Sequence, residues 1–221
     1  YTTGAVVKKN NRQAEYLMEV AEKLASLASR YGYKYPKEKI DDAWQKMMLN
    51  QFHDIVTGSA IECVYDDSNE DFNAIFQTTN EVIKGALEVI SRNVDTKGRG
   101  ISILVFNPLS WKRNDFVEVP LSALKEPLSV DVSNNQGFII PSQIVDTPEG
   151  RKLLFVAYDI PSIGYREFKV KPTAQNEPIQ TSLVASQTEA QIKMQNNFYK
   201  VVLDRKTGLL NSVYDICGEK E

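Results

Sequence analysis

Asp95-Thr96-Lys97-Gly98-Arg99-Gly100 separates two halves of this sequence that follow different hydrophobic periods. The hexapeptide is charged and glycine-rich, offers no apolar face to bury, and reads as a linker. Upstream, from about residue 8 to residue 93, apolar side chains recur every three or four positions and Pro36 is the sole proline. That spacing puts them on one face of an α-helix. Downstream, short apolar runs are punctuated by turn residues, the pattern of strands.

The upstream half divides into three helices. In the first, Leu17, Val20, Ala21, Leu24, Leu27, Ala28 and Tyr31 form one stripe, Glu19 and Lys23 pair four apart on the outer face, and Gly32 marks the stop. The second starts near Pro36, which a first helical turn tolerates, and its stripe is Ile40, Ala43, Trp44, Met47, Met48 and Gln51. The third is long and carries Ile61, Val64, Tyr65, Phe72, Ile75, Phe76, Val82, Ile83, Ala86 and Ile90. Ser59 and Glu62 have the spacing of a capping box at its start, and Ser68 with Asp71 repeats that pattern weakly, marking a kink or a fresh start. Three amphipathic helices with short connections make an antiparallel bundle.

Past the linker, strands are expected over 101–106, 115–119, 137–144, 153–159 and 165–170. A second linker is expected over 171–186, where Pro172 and Pro178 lie among Gln, Thr and Ser. Further strands follow over 191–194, 198–203 and 209–214, the last two joined as a hairpin by Asp204-Arg205-Lys206-Thr207-Gly208. The fold class is therefore α+β and multidomain: an antiparallel three-helix bundle followed by a β-sandwich-like domain.

Composition bounds the function. With 221 residues, 42% hydrophobic and 25% charged, the chain buries a core without staples. A net charge of -3 with the two signs interleaved argues against nucleic acid as a partner. No apolar run reaches the roughly 20 residues of a membrane span, and a secretory leader is not expected. Cys63 and Cys217 lie far apart in segments of different period, so a disulfide framework is not indicated and a cytoplasmic origin is expected. The sequence opens on Tyr1 rather than Met and stops at Glu221 just after a strand-like run, from which a piece of a longer protein is expected.

The densest functional chemistry is Asn50-Gln51-Phe52-His53-Asp54-Ile55-Val56-Thr57-Gly58-Ser59, in the connection between the second and third helices. His53 is the one histidine of the chain. Neutral imidazole is a good zinc ligand, and an adjacent carboxylate such as Asp54 orients it, shares the metal or accepts a substrate hydroxyl. A zinc site needs three or four ligands, however, and a lone histidine at a helix end is more often solvated or capping. Cys63 is expected as a buried structural thiol. Asp66-Asp67 and Glu70-Asp71 suit an acidic helix start facing solvent. Glu118 and Asp159, in strand-like runs, are isolated candidate acids. No Ser-His-Asp order, phosphate loop or dinucleotide fingerprint is present. By local chemistry alone the reading ends at a helical bundle joined to β structure.

The loop also resembles a signature of the α-mannosidases of glycoside hydrolase family 38, through Asn50-Gln51-Phe52-His53-Asp54-Ile55, Gly58-Ser59 and Val64-Tyr65-Asp66-Asp67. Tyr1-Thr2-Thr3, Lys9 and Asn11-Arg12 resemble the entry to that family's middle helical domain. Val105-Phe106-Asn107-Pro108-Leu109-Ser110-Trp111, then Asp159-Ile160-Pro161 with Gly164-Tyr165, resemble its following β region. Asn197-Phe198-Tyr199, Asp204, Gly208 and Tyr214-Asp215 resemble the start of its large C-terminal sandwich. The resemblance implies a three-helix middle domain over 1–96, a β domain over 97–172, and a linker with a truncated sandwich start over 173–221. It implies that His53 is one ligand of a zinc ion shared with an N-terminal α/β barrel, and that Asp54 contacts the hydroxyls of an α-mannoside substrate. It further implies that the nucleophile and acid/base are barrel carboxylates absent from this chain, so that the segment holds no catalytic residue and is inactive alone. The parent is expected to cleave terminal α-mannosyl linkages with retention. The alternative is a non-catalytic carbohydrate-binding or domain-packing module in which His53 is structural.

Overall fold

The computed structural model describes residues 4–125, 127, 129–173 and 182–221. Tyr1-Thr2-Thr3, quoted above for its resemblance, lies outside them. Three helices come first: α1 (Ala5–Ser29), α2 (Lys37–Asn50) and α3 (Glu62–Arg92). α1 and α3 run the same way, since Leu24 and Ala28 cluster with Ala86 and Ile90 at their C-terminal ends. α2 runs against both: its last residue, Asn50, donates to Asp71 of α3 at 3.0 Å and Gln51 just past it reaches Glu15 of α1 at 3.4 Å.

The buried face of α1 is displaced from the stripe read in the sequence. Val7, Ala14, Met18, Ala21, Leu24, Ala25 and Ala28 are buried, whereas Leu27 and Tyr31 are exposed. Alanines face the bundle because small side chains let helix backbones approach, leaving Phe72 and Ile75 of α3 to fill the space between. Pro36 is the N-cap of α2, and Gly32 takes φ +91, a left-handed turn that suits glycine.

The start of α3 differs from the expected capping box. Ile61 is its N-cap and no side chain caps it; Ser59 instead meets Thr57, and the Ala60 N–H donates to the Tyr65 hydroxyl at 2.9 Å. No break occurs at Ser68, which is buried within one continuous 31-residue helix. Cys63 is exposed, contrary to the buried thiol expected. The physical reason is that the inward face of α3 takes in Tyr65, Ser68 and Phe72, and Cys63 lies off that stripe.

The β strands of the same compact unit, residues 1–173, form two antiparallel sheets. One has the order β1 (Ile101–Asn107), β7 (Gly164–Pro172), β3 (Val130–Asn134), β4 (Ile139–Ile140); the other has β2 (Arg113–Pro120), β6 (Gly150–Ile160), β5 (Ser142–Thr147). Val132, Phe168 and Val170 of the first bury against Leu153, Phe155 and Ala157 of the second, joined by Leu121 and Leu124 of a 3-10 turn. The strand expected over 137–144 is two strands. Pro141 lacks the N–H a ladder requires, and the chain there leaves β3's sheet, where β4 pairs, and enters β6's sheet, where β5 pairs. β3 lies outside the expected strands because only Val130 and Val132 of its five residues are apolar.

Asn107, 2% exposed, fastens this sandwich. Its amide donates to the carbonyls of Trp111 at 2.7 Å and Pro161 at 3.0 Å, and its carbonyl accepts the Leu109 N–H at 3.1 Å. Two motifs read separately in the sequence, 105–111 and 159–165, are thus one clamp, closed by the Ile163 N–H donating to the Leu109 carbonyl at 2.8 Å. Next to it, Lys112 pairs with Asp159 at 2.7 Å, and this hydrogen bond holds the Asp159 carboxyl below its ordinary range. Phe106, one residue before the clamp, packs on the Leu24, Ala28 and Ile90 cluster of the helices, tying bundle and sandwich together.

The remaining described residues, 182–221, form a separate unit. β8 (Val184–Gln187), β9 (Gln191–Gln195), β10 (Tyr199–Asp204) and β11 (Leu210–Asp215) make one antiparallel sheet in the order β11-β10-β9-β8. The hairpin expected at 204–208 is present: Asp204 accepts the Thr207 N–H at 2.8 Å and the Lys206 N–H at 2.9 Å, and Gly208 sits at φ +72. All but the last residue of β8 and the last two residues of β7 fall inside the stretch expected as linker, and residues 174–181 of that stretch lie outside the described ones.

Asn107→Ala is expected to destabilise the first unit by about 1–3 kcal/mol or more, because it strands buried backbone partners; equilibrium denaturation monitored at the tryptophans checks this. Lys112→Gln should raise the titration midpoint of Asp159, followed by carboxyl-carbon NMR. As the wild-type carboxyl is depressed, its contribution to stability is present above the unfolded pKa and fades as pH falls through the folded one.

Candidate functional site

Residues 51–61 carry the chain from α2 to α3 through a run of tight turns. The Phe52 N–H donates to Leu49 O at 3.0 Å, the Ile55 N–H to Phe52 O at 2.9 Å, and the Gly58 N–H to Ile55 O at 3.0 Å. This winding keeps the backbone satisfied while turning successive side chains outward and inward. Ile55 points in and packs against the bundle core. His53 and Asp54 point out, with side chains 76% and 62% exposed.

The two predicted site residues are brought together. His53 Nε2 lies 3.5 Å from Asp54 Oδ2, and the Phe52 ring stands 4.3 Å from the imidazole, tilted at 50°. Such a pair offers one nitrogen ligand and one carboxylate to a group approaching from solvent. Among the described residues, no group of three or more His, Cys, Asp and Glu side chains is arranged to hold a metal ion. The donor set here therefore fits one corner of a metal site completed by other residues, and not a whole one.

The loop is fastened to α1 at its far end. Lys8 donates to Thr57 O at 3.2 Å, and Gly4 and Gly58 meet backbone to backbone: a Cβ added to Gly4 would lie 2.7 Å from Gly58 Cα. Gly58 is also at φ +87, so glycine is required there on both counts. Within the loop, Thr57 Oγ1 donates to His53 O at 2.6 Å and stands 2.7 Å from Ser59 Oγ. Neither Lys8 nor Gly4 was singled out from the sequence as part of this site, because a contact 49 residues apart leaves no local signal.

Behind the loop, Asn50 is 1% exposed and donates to Lys46 O at 2.9 Å and to Asp71 at 3.0 Å. Asp71 is thus tied into a structural contact, in place of the solvated helix-start role read for it. On the other side, Asn11 and Arg12 of α1 converge on Glu15, which Gln51 also approaches. The Asn11 and Arg12 of the sequence motif therefore support the loop from below.

The other candidate acids stand elsewhere and are engaged. Glu118 pairs with Lys152 at 3.1 Å, and Asp159 is held by Lys112. At the opposite end of the bundle an apolar cleft of about 160 Å³ is lined by Leu24, Leu27, Ile90, Phe106 and Tyr165 and contains no carboxylate pair.

Comparison with known proteins relates the chain as a whole to α-mannosidases. Residues 1–90 match the family model of the alpha mannosidase middle domain. Alpha-mannosidase 2C1 of Mus musculus is 28% identical over 225 residues, covering 100% of this chain and 19% of that protein. The Homo sapiens alpha-mannosidase 2C1 is 27% identical over 226 residues, again covering 100% of this chain and 19% of the relative. The chain thus spans about a fifth of the length of these curated relatives. Among solved structures, a glycosyl hydrolase family 38 protein from Enterococcus faecalis superposes with a TM-score of 0.70 at 17% identity, covering 95% of this chain and 30% of that one. The shared fold extends through both the helices and the sheets. Residues 1–90 thus match the α-mannosidase middle domain, the chain is similar along its length to α-mannosidases, and its fold is shared with a glycosyl hydrolase family 38 protein.

Proposed function

We propose that this chain supplies one zinc ligand, His53, and one sugar-binding carboxylate, Asp54, to a retaining α-mannosidase whose nucleophile and acid/base reside on an N-terminal α/β barrel. The observation that carries the reading is the outward presentation of an adjacent imidazole and carboxylate, 3.5 Å apart, from a loop anchored at both ends. Positioned groups of this kind cost little reorganisation when a substrate arrives.

The surroundings support a covering partner. Met48 and Leu49 just before the loop, and Phe52 and Ile61 within it, are 57%, 61%, 51% and 71% exposed. Exposed apolar side chains close in sequence to a polar pair are what a domain interface buries. The barrel of the same enzyme is the occupant this reading assigns, and it brings the remaining metal ligands.

When bound, zinc supplies a Lewis acid that templates the sugar hydroxyls. This chain's own part is to hold the His53 imidazole and to accept mannose hydroxyl protons at Asp54. The resulting hydrogen bonds favour a distorted, oxocarbenium-like sugar ring. The domain division 1–96, 97–172 and 173–221 belongs to the same proposal. So does a cytoplasmic location, in keeping with Cys63 and Cys217, which are both exposed and unpaired. No described helix is long and apolar enough to cross a membrane.

In the full-length enzyme equilibrated with limiting zinc, His53→Ala should lose bound zinc and at least about a hundredfold in aryl α-mannoside hydrolysis while keeping its fold, as metal analysis and circular dichroism will report. Retention of both zinc and activity would make His53 structural. The 221-residue segment on its own should release no sugar; activity that co-purified with it would refute the assignment of the catalytic carboxylates to the barrel.

A further inference from the structure

The hydroxyls behind His53 form a directed chain. Thr57 Oγ1 is 2.6 Å from the His53 carbonyl, which can only accept, so the Thr57 proton is committed there. Ser59 Oγ, 2.7 Å from Thr57 Oγ1, must then be the donor to Thr57. Hydrogen bonds aligned head to tail in this way polarise one another and stiffen the segment they span. The chain ends on the peptide of His53 itself, so it fixes the backbone from which the imidazole projects.

This relay is braced from α1. Lys8 holds the Thr57 carbonyl at 3.2 Å, and Gly58 rests against Gly4 with no room for a side chain between them. Thr57 is consequently held on its main chain by one helix while its side chain holds His53. Thr57 is exposed and packs into no core cluster, so packing does not account for this arrangement.

We propose that Thr57 is a positioning residue for His53, with Ser59 as its relay and the Gly4–Gly58 contact as its brace, setting how readily the imidazole occupies its place in the metal site. The inference rests on the zinc-ligand reading of His53. Groups that orient a metal ligand from behind are worth about tenfold to a hundredfold in metal affinity.

The test uses the full-length enzyme. Zinc affinity is measured by chelator competition on the apoprotein, beside kcat and KM at saturating zinc and the melting temperature. Thr57→Val keeps the shape and removes the hydroxyl, and is expected to weaken zinc binding about tenfold or more. Thr57→Ser restores the hydroxyl and should return affinity to within about twofold of wild type. Ser59→Ala, which leaves Thr57 in place but without its donor, should give an intermediate loss and serves if Thr57→Val fails to fold. Wild-type zinc affinity in folded Thr57→Val, or in Ser59→Ala where that variant is the one used, overturns the proposal. So does a loss in Thr57→Val that Thr57→Ser does not repair. His53→Ala separates the two levels: zinc retained there refutes the ligand reading itself, whereas zinc lost there but unaffected by Thr57→Val refutes only the positioning role.

Discussion

The packing of α1 against α3 is the constraint from which the rest of this structure follows. Ala14, Ala21, Ala25 and Ala28 on one helix face Phe72, Ile75, Val82 and Ala86 on the other, all 2% exposed or less. Small residues on one side and large ones on the other let the pair interlock at close range, and dispersion over so many contacts outweighs the entropy of ordering two long helices. Because the helices run the same way, their N-terminal ends support one set of loops and their C-terminal ends another. The first end receives the loop of His53 and Asp54, and the second receives Phe106 and the sandwich.

That division explains why site and scaffold use different chemistry. At the sandwich end, Asn107 is buried with its amide and carbonyl both satisfied, an arrangement that costs little to bury and specifies one turn geometry. At the loop end, the backbone is satisfied locally but His53 and Asp54 face water, and Asn50 Oδ1 and Asn11 Oδ1 lie buried without a hydrogen-bond partner among the described residues.

The legible parts of the fold are those with a local cause. Helical period, the stop at Gly32 and the Asp204–Gly208 hairpin were all readable because propensity and turn chemistry act over a few residues. The structure departs from these expectations where alternative partners compete for the same group or segment. The α1 stripe was read through Leu27 and Tyr31, since large apolar residues dominate a sequence pattern, yet the close approach of α3 favoured the alanines. Ser59 has the composition of a helix cap but hydrogen-bonds to Thr57, and the Tyr65 hydroxyl takes the amide of Ala60. The strand over 137–144 divides at Pro141 because two sheets compete for its halves.

By itself the sequence determined the class of elements, their order, and the identity of His53 and Asp54 as the residues of interest, because residue type and periodicity are local properties. Tertiary structure alone decided that Gly4 rests on Gly58, that Lys8 reaches Thr57, and that the motifs at 105–111 and 159–165 close on one asparagine. Each of these is a contact between segments tens of residues apart, where the geometry is set by how helices and sheets pack and no neighbouring residue records the outcome.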